Sequence, residues 1–106
     1  MEQIQELLNA PTSGAEAPTL ARLEDTLTEG YAKALALDAE RWRLERRLGE
    51  VVRAVGGADA SAYVKELSTI STQLTNADGE LTKLRSLLRS LHERTRSARR
   101  RIASRH

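Results

Sequence analysis

Arg41 is the residue best placed for chemistry, because it is the one charge on an otherwise uncharged helical stripe and has carboxylates at helical spacing on both sides. Asp38 lies three residues before it and Glu45 four residues after, so all three share one face of a helix. A guanidinium among carboxylates can hold a small anion or join an acid–base cluster. It can also form a buried polar layer, here Arg41 with Asp38 and Asp78, that sets the register of packed helices. The second role is the expected one, since an ionised side chain in a packing seam is costly unless paired, and setting register is its best-attested use.

Other chemistry-bearing residues are sparse. The two histidines, His92 and His106, have no second ligand at metal-binding spacing, and there is no cysteine, hence no disulfide and no thiolate. Gly56-Gly57 is followed by Ala-Asp-Ala, without the lysine and hydroxyl of a phosphate loop. Ser68, Thr69, Ser71, Thr72 and Thr75 have no nearby histidine and read as the polar face of a helix. The expectation is a non-enzymatic chain that takes no cofactor and no metal. At the C-terminal end Arg94, Arg96, Arg99, Arg100, Arg101 and Arg105 follow one another, with no acid after Glu93. Arg96, Arg99, Arg100, Arg101 and Arg105 are the candidate contacts for an anionic partner such as nucleic acid. Basic residues also complement a helix C-terminus, and no aromatic side chain stands near to stack on bases, so nucleic-acid binding is the alternative reading.

The elements that must position these residues follow from periodicity. Tyr63, Leu67, Ile70, Leu74, Ala77, Leu81, Leu84, Leu88, Leu91, Thr95, Ala98 and Ile102 recur in an alternation of four and three, which is a heptad seam. A second seam runs through Leu20, Leu23, Leu27, Gly30, Ala34, Leu37, Arg41, Leu44, Leu48, Val51 and Val55. Glycines at 56 and 57 end it, and Asp59 can cap the next helix. So short a turn requires the two helices to run antiparallel. Pairing Val55 with Tyr63 then matches Leu48 with Ile70, Arg41 with Ala77, Leu37 with Leu81 and Gly30 with Leu88, small residues repeatedly facing large ones. Gly79 falls inside the second helix without shifting the seam, which implies a bend at most.

The expected fold is all-α: an antiparallel, coiled-coil-like helical hairpin with a short N-terminal helical segment that completes a three-helix unit or a dimeric four-helix bundle. As one domain, 1–106 divides into a short helix at 1–9, a linker at 10–18, hairpin helices at 19–55 and 59–103, and a turn at 56–58. Residues past Ala98 overhang the first hairpin helix. Pro18 suits a first helical turn, and Ser13 with Glu16 can form a capping box if the helix begins earlier. Tyr31, Leu35, Trp42, Gly49 and Val52 make a second, partly apolar stripe on the first hairpin helix, which the hairpin alone leaves wet. Either the N-terminal helix or a second chain covers it; the expected occupant is a second chain, giving a homodimer that serves as a protein–protein interaction or scaffold module.

Composition agrees with long helices: 106 residues with 40% hydrophobic side chains, no Phe, one Trp and two Tyr. The net charge of +2 hides a gradient, with seven basic and ten acidic residues in 1–57 and ten basic and five acidic in 58–106. No stretch is apolar enough to span a membrane and no basic-then-apolar leader opens the chain, so a cytoplasmic location is expected. The arginine- and alanine-rich usage is of the kind expected from a high-GC bacterial genome.

Overall fold

The computed structural model describes residues 2–56 and 61–104. Among them are three helices and no strand: α1 spans Glu2–Asn9, α2 spans Leu20–Val55 and α3 spans Ser61–Ser104. α2 and α3 pack against each other as the expected all-α hairpin. The turn at 56–58 and its Asp59 cap fall, apart from Gly56, outside the described residues, as do Met1, Arg105 and His106. α3 continues unbroken through Gly79. The chain resolves into two compact units, one holding α1, α2 up to Ala34 and α3 from Lys83, the other holding α2 from Leu35 and α3 up to Thr82.

In the first unit three helices share a core. Ile4 and Leu7 of α1 are buried, as are Leu23 and Leu27 of α2 and Leu84, Leu88, Leu91 and Ala98 of α3. Gly30 makes room for side chains of both neighbouring helices. A Cβ at that position would run into the Leu88 side chain and stand 3.3 Å from Cδ1 of Ile4. The missing side chain therefore lets α1 and α3 both reach the α2 backbone. Thr95 is 1% exposed, and its hydroxyl donates to the Leu91 carbonyl at 2.8 Å, so a polar group sits in the core without an unmet hydrogen bond.

α1 has eight residues, too few to be stable as an isolated helix. Its helicity is held from outside. The Arg94 guanidinium donates to the carbonyls of Leu8 and Ala10, and that of Arg101 donates to the carbonyl of Thr12. These carbonyls belong to the end of α1 and the segment just beyond, where no helical N–H remains to satisfy them. The overhanging end of α3 is thus occupied by the linker that follows α1. Within that linker Gly14 takes a φ of 92°, a conformation that glycine adopts without steric cost.

α2 begins one residue later than the sequence suggests and by a different device. Thr19 is its N-cap, accepting a hydrogen bond from the Arg22 amide at 3.1 Å. Pro18 lies outside the helix rather than in its first turn, and the Ser13 and Glu16 alternative is not used.

The second unit has only two helices, and its seam shows the difference. Val51, Ile70, Ala77 and Leu81 are buried, whereas Leu37, Leu44, Leu48, Leu67 and Leu74 are half-buried. A helix pair covers the stripe between its members but not the flanks of the larger side chains in it. On the polar face of α3 the hydroxyls of Thr69, Thr72 and Thr75 each donate to the carbonyl four residues back at 3.0 Å. Two stability effects are expected from these differences. Leu91→Ala should cost about 3 kcal/mol and Leu44→Ala about 1 kcal/mol in urea unfolding followed by circular dichroism, because only the first leaves a closed cavity. Arg94→Ala should cost about 2 kcal/mol and raise hydrogen exchange in α1 selectively, since two charged hydrogen bonds, to Leu8 at its end and Ala10 just beyond, are lost.

Candidate functional site

Arg41 does gather carboxylates. Its Nη1 lies 3.2 Å from Oδ1 of Asp78 on α3, while Oδ1 of Asp38 and Oε1 of Glu45 are each 3.7 Å from the guanidinium. The layer is not buried, however. Arg41 is 35% exposed, Asp38 45% and Asp78 57%. The expectation of a buried polar layer is corrected here, and the cause is the missing third wall: in a two-helix unit a long side chain on the seam extends along the apolar surface until its head reaches water. Exposed pairs of this kind contribute little individually, up to about 1 kcal/mol.

A second cross-helix pair stands beside it. Both Nε and Nη2 of Arg47 donate to Oε1 of Glu66, the Nε contact at 2.9 Å, and Nη1 is 3.5 Å from Oε2 of Glu50. The hydrogen bond to Glu66, then the charge of that carboxylate, hold the Arg47 pKa above its ordinary value, so the guanidinium keeps its proton at any working pH. Sequence reading missed this pair because it followed seam positions only. The signal was present: Arg47 and Glu66 each directly precede a seam leucine, Leu48 and Leu67, on helices that pack antiparallel.

Trp42 lies on a side of α2 turned away from the seam and is 59% exposed, with Leu35 at 72% and Val52 at 56%. Gly49 is half-buried. The Arg46 guanidinium carbon is 5.1 Å from the centre of the indole ring, a cation–π contact within a single helix face. Beside it an open depression is lined by Leu35, Asp38, Ala39, Arg41, Trp42 and Arg43. Val64 of α3, not singled out from the sequence, is another exposed apolar side chain of this unit at 61%. Tyr31, 47% exposed, belongs to the three-helix unit. Of the two occupants considered for the stripe, α1 has its apolar residues Ile4 and Leu7 buried in the three-helix unit, and Trp42 is left exposed.

The arginine-rich end is engaged within the chain. Arg99 pairs with Glu24 of α2 at 3.3 Å, Arg96 with Glu93 at 3.5 Å, and Arg100 donates to the Ser97 hydroxyl at 3.4 Å. Arg101 holds the linker, and Arg105 lies outside the described residues. The candidate contacts for an anionic partner therefore have partners of their own, because antiparallel packing brings the acidic start of α2 to the basic end of α3.

No described helix is long and apolar enough to cross a membrane. The exposure of the Arg41 layer sets an energetic expectation. A double-mutant cycle of Arg41→Ala and Asp78→Ala should give a coupling below about 1 kcal/mol that shrinks with added salt, whereas a dry pair would cost about 3 kcal/mol or more to break.

Comparison with models of protein families, with characterised proteins and with solved structures finds no match to this chain.

Proposed function

We propose that the protein is a non-enzymatic helical interaction module that self-associates through the Trp42 face, making a dimeric scaffold. The observation that carries this reading is the exposure of Trp42, at 59%, together with Leu35 and Val52 on the unit that has no third helix. An aromatic anchor among exposed apolar side chains is characteristic of docking surfaces, because tryptophan removes a large area from water while ordering few torsions.

The alternative, nucleic-acid binding through Arg96, Arg99, Arg100 and Arg101, has less support, because each of these side chains already has an intramolecular contact. Light scattering after size exclusion separates the two readings. Under the proposal the mass is twice 11.8 kDa at high protein concentration, is insensitive to salt, does not change when a short mixed-sequence nucleic acid is added, and falls to the monomer in Trp42→Ala. A monomer that joins the nucleic acid at low salt, and dissociates from it as salt rises, would reverse the preference.

A further inference from the structure

We infer that the occupant of the Trp42 face is the same face of a second copy, the two α2 helices crossing antiparallel about a twofold axis between Trp42 and Arg46. This rests on the self-association proposed above and adds which side chains meet. Leu35, Ala39, Trp42, Arg46, Gly49 and Arg53 recur at intervals of four and three along α2, and therefore form one stripe pointing away from the seam. Val52 lies at its edge.

The stripe is complementary to its own reverse. Turned end for end, it sets Trp42 against the partner's Arg46, Ala39 against the partner's Gly49, and Leu35 against the partner's Arg53. Each meeting has a physical basis. Arg46 already stands 5.1 Å from the indole centre on its own helix, and a second guanidinium from the other copy would cover the ring's remaining face in a site with less water, where the cation–π attraction is stronger. The small pair allows the two backbones to come close. A Cβ at Gly49 would have only Nη2 of Arg53 nearby, at 3.9 Å, so the space over Gly49 is empty in the single chain, in contrast to Gly30, where it is filled. The aliphatic stem of Arg53 can lie over Leu35 while its head stays wet.

A parallel pairing lacks this logic, since it sets Arg46 on Arg46 and Arg53 on Arg53. Charges beside the stripe are already balanced within the chain, Arg43 by Glu40 at 2.8 Å and Arg41 by Asp38, Glu45 and Asp78. Those flanking charges therefore do not repel a second copy, and the two arginines on the stripe, Arg46 and Arg53, are set by the antiparallel pairing against Trp42 and Leu35 rather than against each other. Reciprocal contact, in which one residue meets another and that other meets the first, is what twofold symmetry requires of an interface.

The chain has no cysteine, which makes the geometry directly testable. In the double variant Ala39→Cys with Gly49→Cys, antiparallel pairing brings each new thiol to the other kind across the axis, within the roughly 7 Å Cα reach of a disulfide. Within one chain the two positions are about 15 Å apart along the helix and cannot be bridged. Mild oxidation should convert the double variant to a covalent dimer and leave each single variant unlinked, and Arg46→Gln should weaken the native dimer by about tenfold. A native dimer in which the double variant does not link, in which Ala39→Cys links alone, or in which Arg46→Gln changes nothing would overturn this geometry and leave self-association standing. A native chain that is monomeric at every concentration tested would overturn both.

Discussion

Two helices that pack together can shield only the stripe between them, and the rest of this structure depends on how that shortage of walls is met. Where α1 lies against α2 and α3, leucines such as Leu84 and Leu91 are 0% exposed. Where only α2 and α3 are present, Leu44, Leu48 and Leu74 stay half-buried although the seam pattern is the same. The heptad repeat specifies which residues face inward; Val51, Ile70 and Leu81 are dry without a third element, but the flanks of the other seam leucines are not. The same geometry explains why Arg41 is tolerated on a seam. In the three-helix unit a guanidinium at an equivalent position would be desolvated, at a cost of several kcal/mol unless fully paired.

The third element is itself a marginal one. An eight-residue helix cannot nucleate and persist on its own, so α1 exists through tertiary contacts: two buried apolar side chains, the gap left by Gly30, and the Arg94 guanidinium closing the carbonyls of Leu8 at its end and Ala10 just beyond. Arg94 does for α1 what a glycine cap does for an ordinary helix, and does it from another helix. That places arginines of the C-terminal end in a structural role and shortens the list of those open to solvent chemistry.

Much of this was legible in the residues. The two seams, their antiparallel register and the meeting of Gly30 with Leu88 follow from the alternation of four and three, because seam spacing is a local property and a short turn leaves one way to pair the helices. The contact of Arg41 with Asp78 was legible for the same reason. What was hidden depended on information outside any periodic pattern. The Thr19 cap competes with Pro18 and with Ser13 and Glu16 over a few tenths of a kcal/mol to about 1 kcal/mol each, too little for sequence to rank. The hold of Arg94 on Leu8 and Ala10 uses backbone carbonyls, which leave no trace in side-chain spacing. The exposure of the Arg41 layer depended on where α1 docks, and α1 is joined through a linker that carries no register.

Each long helix has acids toward its start, such as Glu24 and Glu66, and arginines toward its end, such as Arg47 and Arg99, and this polarity acquires an internal meaning once the helices are paired. Glu24 near the start of α2 meets Arg99 near the end of α3, and Arg47 toward the end of α2 meets Glu66 toward the start of α3. Acid faces base in both units, and a slip of one heptad turn would separate these pairs, so the polarity of the helices supports the register that the apolar seam already prefers. Arg96 and Arg99 nonetheless stay 54% and 56% exposed, so these pairs bias the register without burying the basic end.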